Sequence, residues 1–213
     1  MKFCVIGVGR FGYHVAVKLA EHGMEVLAVD SNESIVASIR DKVTQAICMR
    51  VRDEESLRSI GIEEMDAVVV AIGEDLSQSI LVAALLKQRL KVPSVIVRAI
   101  STIQKDILDL IGADYVVLPE QEMGIRLADK LSLKYGSFIR ITESFSISYL
   151  KTPQRFVGKQ VSELPLKEQY HVTLVGKKEH DRIVELAEDY SIEKDDILAV
   201  AGLNNDLERL ANL

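Results

Sequence analysis

Gly7-Val8-Gly9-Arg10-Phe11-Gly12 is the stretch that decides the fold. It follows an apolar run over 2–6 that is too short for a helix, and it opens a stretch with helical spacing over 11–22. Asp30 comes directly after the next apolar run. Three spaced glycines between a strand and a helix, with an acidic residue at the end of the following strand, are typical of a βαβ unit that binds an adenine-containing nucleotide.

Each residue of this motif has a physical role in such a unit. Gly7 allows the tight turn, Gly9 lets the backbone approach the phosphates, and Gly12 lets the helix pack closely on the strand. The N–H groups at the start of the helix attract the phosphates, and Asp30 accepts hydrogen bonds from the ribose hydroxyls. The alternative is that the glycines serve strand–helix packing alone.

The same alternation continues beyond the motif and predicts a Rossmann-like parallel sheet of the α/β class with right-handed crossovers. Gly61 and Gly112 each follow a helical stretch, where a left-handed terminating residue is expected. The predicted strands are Glu25–Val29, Gln45–Met49, Asp66–Ile72, Ser94–Arg98 and Asp114–Leu118, and the predicted helices are 33–41, 53–60, 76–90 and 102–111.

After Pro119 the pattern changes, because one more helix is predicted over 120–134 and a turn-forming Tyr135-Gly136-Ser137 follows it. We therefore expect a nucleotide-binding domain over 1–136 and a small α+β lobe over 137–213. In that lobe the predicted strands are 145–151, 171–176 and 196–201, the predicted helices are 161–168 and 203–211, and 177–181 reads as a charged loop.

Ligands of open α/β sheets bind at the carboxyl edge of the strands, and this rule supplies the remaining candidate residues. Arg10 places a guanidinium where a terminal phosphate would suit it; the alternative is an arginine solvated on the helix surface. Arg50 and Arg52 are expected near the adenine or the phosphates, or in salt bridges with Asp53 or Glu54. The other candidates at this edge are Phe11, Ser31, Val51, Ala71, Ile72, Gly73 and Arg98.

Composition and charge argue against several classes of protein. A net charge of −6 gives no electrostatic footprint for nucleic acid. No apolar run approaches the length that spans a bilayer, and nothing resembles a signal peptide, so a cytoplasmic or membrane-peripheral protein is expected. Cys4 and Cys48 both sit in apolar runs and are expected to be buried, reduced packing residues.

Catalysis is poorly supported by the sequence. The four histidines are scattered, and none has a visible partner that would make it a general acid or base. A nucleotide site without a catalytic site indicates a sensor rather than an enzyme. The alternative from a different class is a small NAD(P)-dependent oxidoreductase.

Together with the glycine loop and Asp30, three further motifs carry a resemblance over the whole chain. They are Ala71-Ile72-Gly73, Ile111-Gly112-Ala113-Asp114 and Pro119-Glu120-Gln121-Glu122-Met123-Gly124. With them the chain resembles the RCK (regulator of K⁺ conductance) family, in particular the KtrA- and TrkA-type cytosolic gating subunits of bacterial potassium uptake systems. The first domain is similar to RCK_N and the second to RCK_C, the TrkA C-terminal type.

The resemblance implies a homodimer that assembles into an octameric ring on a membrane-embedded K⁺ translocating subunit of the KtrB or TrkH type, at the inner face of the membrane. It implies ATP or ADP as ligand, with NAD or NADH as the alternative, and gives Arg10 the role of reaching a terminal phosphate. Glu120 matches a glutamate that helps to hold a divalent or monovalent cation at the dimer interface. Lys167 is named for a cyclic di-AMP site in the second lobe. One departure is Arg50-Val51-Arg52-Asp53, where the family often has a small-residue segment.

Overall fold

The first six strands are β1 Lys2–Ile6, β2 Glu25–Asp30, β3 Gln45–Cys48, β4 Ala67–Val70, β5 Ser94–Arg98 and β6 Tyr115–Val117. They form one parallel sheet in the order β3-β2-β1-β4-β5-β6. The computed structural model describes residues 1–73, 75–132, 138–142 and 144–212. Strand order reverses between β1 and β4, which places a crevice at their carboxyl ends.

Helices connect these strands as the alternating pattern predicts, and the α/β fold class is confirmed. Gly61 and Gly112 both have positive φ, at 70° and 91°, and so end their helices in the left-handed conformation. The helices are α1 Arg10–Glu21, α2 Glu33–Ile39, α3 Glu54–Ser59, α4 Leu76–Ala84, which continues as a π-helical turn Leu85–Arg89, α5 Thr102–Ile111 and α6 Pro119–Ser132.

The buried faces explain why these segments fold together. β4 is buried along its whole length, as expected for a central strand of a parallel sheet covered on both sides. One side packs against α4 and α5 through Val82, Leu86 and Leu108, and the other packs against α1 and α2 through Ala16 and Ile39. This two-sided core fixes the carboxyl ends of β1, β2 and β4 relative to one another.

The strands that follow α6 form a five-stranded antiparallel sheet. Its own core includes Phe156, Ile192 and Leu198. The elements are β7 Phe138–Arg140, β8 Phe145–Lys151, α7 Leu166–Tyr170, β9 Thr173–Glu179, β10 Arg182–Val184, β11 Ile197–Leu203 and α8 Asn204–Ala211. The order of the strands in the sheet is β10-β9-β11-β8-β7.

Several predictions for this lobe were wrong in detail. The helix predicted over 161–168 is a 3₁₀ turn, Val161–Glu163, followed by α7, because Pro165 disfavours helical backbone at the residue before it, and Leu164 is extended with ψ 123°. The strand predicted from 171 begins at Thr173, since His171 has left-handed backbone at the end of α7. The segment predicted as a charged loop, 177–181, forms the end of β9 and the turn that leads into β10, so it belongs to a β-hairpin.

The chain divides into two compact units, Met1–Gly124 and Ile125–Leu213. The domain boundary predicted between 136 and 137 lies outside the described residues, so it stays a prediction. The end of the helix predicted to reach 134 also lies outside them; α6 is described to Ser132.

Candidate functional site

The glycine loop follows β1 and contributes Gly7 and Gly9 to the lining of the crevice. Gly7 has φ 89° and donates its N–H to Val29 O at 2.8 Å, so the chain turns sharply out of the sheet. Gly9 is the N-cap of α1; it makes no side-chain cap, and the first turn of the helix carries no acidic residue. The start of α1 therefore offers backbone N–H groups and the positive end of the helix dipole to an anion.

Gly12 lies behind the loop rather than in it. A Cβ at this position would sit 2.0 Å from Gly7 O and 3.1 Å from Ala71 Cβ. The helix can approach the turn this closely only because residue 12 has no side chain. Its role is therefore close packing.

Asp30 holds the loop from the end of the neighbouring strand. One carboxylate oxygen accepts from Val8 N at 2.7 Å, and the other accepts from Asn32 N at 2.9 Å. A carboxylate has about four acceptor positions, so each oxygen keeps capacity for a further donor. Asp30 can therefore fix the backbone and accept hydroxyl groups at the same time.

These groups face one cleft of about 890 Å³ at the carboxyl edge of the sheet. That volume suits a small-molecule ligand of nucleotide size. The structure brings thirteen of the predicted residues together in its lining: Gly7, Gly9, Arg10, Phe11, Asp30, Ser31, Arg50, Val51, Ala71, Ile72, Gly73, Arg98 and Glu120.

Of the predicted residues, Gly12 does not line the cleft, and neither does Arg52. Its side chain is exposed, and its backbone N–H donates to Ser56 Oγ at 3.1 Å. The alternative of a salt bridge from Arg50 or Arg52 to Asp53 or Glu54 is not seen in the described part of the chain. Glu54 pairs instead with Arg58 at 2.8 Å.

Two charged side chains in the cleft lining form an ion pair. Arg98, at the end of β5, donates from Nη2 to Glu120 Oε1 at 2.6 Å. Its Nη1 lies only 2.3 Å from where a Cβ on residue 73 would be, so Gly73 leaves the room that the guanidinium occupies. Arg98 thus places positive charge within the same cleft as Arg10 and the glycine loop.

Sequence reasoning missed several lining residues that lie on or next to β1, α2, β3 and α4. Gln78 donates from Nε2 to Val51 O at 2.7 Å, and Asp75 caps α4 by accepting from Gln78 N at 2.9 Å. The capping pattern Asp-x-x-Gln before an apolar run was a readable signal for these two. The missed residues are Ile6, Asn32, Ile35, Met49, Asp75 and Gln78.

The two cysteines differ, and the prediction that both are buried was wrong for one of them. Cys4 is fully buried in β1, and burial raises the pKa of its thiol to about 12. Cys48 is exposed at the carboxyl end of β3, with Sγ 3.7 Å from Ser31 O. β3 is an edge strand of the sheet and pairs only with β2. The open side of this strand explains why its last residue is exposed.

The second unit has a polar cluster of a different kind. Lys177 Nζ donates to Tyr190 OH at 2.8 Å and lies 3.4 Å from Asp196, and Tyr190 OH donates to Asp196 Oδ2 at 3.0 Å. The hydrogen bond to Tyr190, followed by contacts with Glu179 and Asp196, raises the pKa of Lys177 despite its burial. Lys167, named for a second ligand, is exposed on α7.

Within the described ranges no group of three or more His, Cys, Asp or Glu side chains is arranged to hold a metal ion. The carboxylate of Glu120 is paired with Arg98. Over the same ranges, no helix is both long and apolar enough to cross a membrane.

The sequence matches two domain families, TrkA-N over residues 3–119 and TrkA-C over 148–213. It is 36% identical over 214 residues to the Ktr system potassium uptake protein A of Vibrio alginolyticus, covering 99% of this chain and 95% of that one. To the Ktr system potassium uptake protein A of Bacillus subtilis (strain 168) it is 33% identical over 213 residues, covering 99% and 96%.

Solved structures of the GsuK channel have the same fold. One, bound to NAD, superposes with a TM-score of 0.55 at 21% identity, covering 99% of this chain and 38% of the channel chain. Another, bound to ADP, gives a TM-score of 0.54 at 24% identity, covering 62% and 34%.

The Ktr relatives carry the names of potassium uptake proteins and not of enzymes, so the prediction that the chain is not an enzyme is confirmed. Full-length similarity at this level also confirms the resemblance identified from the motifs. The chain belongs to the TrkA-type RCK family of potassium uptake proteins, with a TrkA-N domain followed by a TrkA-C domain.

Proposed function

We propose that this protein is a nucleotide-sensing regulatory subunit that gates a membrane K⁺ transporter through a ligand-dependent change of ring conformation. One observation carries the proposal: the glycine loop, the start of α1 and Asp30 face a single cleft of about 890 Å³ that also contains Arg10 and Arg98. The relatives of the chain are named as potassium uptake proteins, so we infer that the cleft senses its ligand and does not convert it.

The ligand of this cleft is an adenine nucleotide, ATP or ADP. Asp30 has acceptor capacity for the ribose, and the N–H groups at the start of α1 suit the first phosphates. Arg10 follows Gly9 directly, is exposed and lines the cleft, so its guanidinium is available to a terminal phosphate. GsuK has been solved with NAD and with ADP, so NAD or NADH is the alternative ligand.

The protein works as a homodimer that assembles into an octameric ring on the cytoplasmic face of the membrane. Exposed apolar side chains on α5 support self-association, with Ile103 at 72% and Leu110 at 88% exposure while Leu108 is fully buried. Both faces of this helix are therefore apolar. The membrane partner is a K⁺ translocating subunit of the KtrB or TrkH type.

Gating requires only that the nucleotide bind two ring shapes with different affinities, since a ligand shifts an equilibrium by its differential affinity and no more. A terminal phosphate that contacts Arg10 in one shape supplies that difference. Two further ligands belong to the proposal: a cation beside Glu120 at the dimer interface, and cyclic di-AMP in the second lobe near Lys167.

The test combines binding, assembly and transport. Titration calorimetry measures ATP, ADP and NADH affinities, light scattering measures the oligomer, and K⁺ flux is followed in vesicles that contain the membrane subunit. We expect Asp30→Ala to weaken the binding of every adenine nucleotide. Asp41 is an exposed aspartate outside the cleft, and Asp41→Ala should leave these affinities unchanged. Flux that does not depend on nucleotide would contradict the gating role.

A further inference from the structure

Arg98 and Glu120 form an ion pair inside the candidate nucleotide cleft, with 2.6 Å between Nη2 and Oε1. Arg98 is the last residue of β5, and Glu120 is the second residue of α6. The pair therefore joins the carboxyl edge of the sheet to the beginning of a helix. Both partners line the cleft that also contains Gly7 and Gly9.

The two partners differ in how firmly they are held. The Arg98 side chain is 19% exposed and fits against Gly73, whereas the Glu120 side chain is 67% exposed. Nε of Arg98 is buried and finds no hydrogen-bond partner among the described residues. Arg98 is thus a fixed cation with an unused donor, and Glu120 is an acceptor that can leave it.

A phosphate competes well for such a cation. The terminal phosphate of a nucleotide carries more charge than a carboxylate near neutral pH, and like a carboxylate it accepts two parallel hydrogen bonds from a guanidinium. A phosphate placed beside Arg98 would also repel the Glu120 carboxylate, because like charges at short range disfavour each other. The phosphate is therefore expected to displace the Glu120 carboxylate from the Arg98 guanidinium.

We propose that Glu120 is an internal competitor of the nucleotide phosphates for Arg98, and that nucleotide binding releases the start of α6 by breaking this ion pair. The inference rests on the proposed nucleotide binding and adds the element on which the ligand acts. The chain passes from the first compact unit to the second within α6, after Gly124. Release of Glu120 therefore acts at the start of the helix that leads out of the nucleotide domain.

The first experiment is titration calorimetry of ATP and ADP in EDTA, which removes any contribution of a divalent cation at Glu120. Glu120→Gln should raise the affinity about fivefold, the scale of a modest ion-pair competition. The matched control is Glu122→Gln, which makes the same charge change on the same helix, where Oε1 contacts Leu118 N at 3.4 Å instead of an arginine. The nucleotide affinity of the control variant should stay within about twofold of the wild-type affinity.

A double variant shows whether the effect passes through Arg98. Arg98→Gln should weaken binding, and adding Glu120→Gln to it should then produce no gain, because the competitor has lost its target. A gain of the same size in both backgrounds would show that Glu120 acts through overall charge, and it would overturn the inference.

Amide hydrogen exchange supplies a readout that affinity alone does not. The Glu122 N–H donates to Leu118 O at 2.9 Å, so the beginning of α6 is protected in the structure. ADP should speed exchange there in the wild type, and Glu120→Gln should show faster exchange before ADP is added. If neither happens, or if Glu120→Gln binds nucleotide no more tightly than the wild type, the inference fails while the proposed function stands. If the wild type binds no adenine nucleotide at all, both fail.

Discussion

The polar groups of the nucleotide cleft and those of the Lys177 cluster in the second unit use their hydrogen-bonding capacity in opposite ways. In the cleft, Asp30 accepts one backbone N–H on each oxygen and keeps further acceptor positions. In the cluster, Lys177, Tyr190 and Asp196 bond to one another, and Asp196 also accepts from Glu193 N at 2.9 Å.

The difference teaches how to separate a ligand site from a structural network in one chain. Asp196 is 7% exposed and Lys177 16%, so a charged group at either position is tolerable only because the others neutralise it. Cleft groups lie where strands end and helices begin, with N–H groups and acceptors turned to solvent. Substitutions in the cluster should therefore affect folding, and substitutions in the cleft should affect binding.

The largest effect is expected where the cleft depends on packing. Gly12→Ala should lower the free energy of unfolding by more than about 3 kcal/mol, because the new Cβ would overlap Gly7 O at 2.0 Å. Gly9→Ala meets no atom within 4 Å, so it should leave stability unchanged and weaken nucleotide binding by obstructing the phosphates. Chemical denaturation and calorimetry separate the two. Equal stability losses would show that both glycines serve packing alone.

The cluster should respond in the opposite sense. Asp196→Ala leaves Lys177 and Tyr190 without their buried acceptor and should cost about 3 kcal/mol in the free energy of unfolding of the second unit. Asp195→Ala removes the same charge from the exposed neighbouring residue and should cost almost nothing. Amide exchange in β11 measures the loss. A change in ATP affinity for Asp196→Ala would break the proposed separation of roles.

Arg10 tests the cleft by ligand preference. Arg10→Ala should weaken ATP binding about tenfold and ADP binding much less, because it removes a charge-assisted contact to the last phosphate. Arg40→Ala, an exposed arginine outside the cleft lining, is the matched control. Calorimetry gives both affinities, and an equal loss for the two nucleotides would contradict the role assigned to Arg10.

Alkaline pH should weaken the second unit through Lys177. Its pKa is raised in the folded state by Tyr190, Glu179 and Asp196, so its stabilising contribution is complete below the unfolded value of about 10.4 and is lost as pH rises through the folded value. Thermal unfolding of the wild type, followed on both sides of about pH 10.4, should show no loss from this group below that value and a growing loss above it. Lys177→Met should lack that component of the decline.

The parallel sheet was predictable because its signals are local. Strand and helix alternate with short connections, and Gly7, Gly61 and Gly112 stand where positive φ is required. The same logic found most of the cleft lining, since strand ends in such a sheet share one edge. It missed Gln78, whose contact with Val51 O joins positions 27 residues apart.

The antiparallel lobe was less predictable. Its β9–β10 hairpin turns at His180, a non-glycine residue with φ 54°, and its strand carries Lys177 and Lys178, which read as a solvated loop. Lys177 is accepted in a strand because Tyr190 and Asp196, distant in sequence, bond to it. Tertiary partners of this kind leave no local pattern.

The smallest expected effect uses the two thiols as reporters on the cleft. At pH 8 a maleimide should label Cys48 and leave Cys4 unmodified in the folded protein, because Cys4 is fully buried and its pKa of about 12 leaves almost no thiolate. Cys48 lies outside the cleft lining, but it contacts Ser31 O, and Ser31 is part of that lining. A bound adenine nucleotide should therefore slow labelling of Cys48 by only about twofold, since it covers the neighbour and not the sulfur itself. Complete protection would mean that the nucleotide extends over β3, and labelling of Cys4 at a comparable rate would show that the sheet opens at the strand that carries the glycine loop.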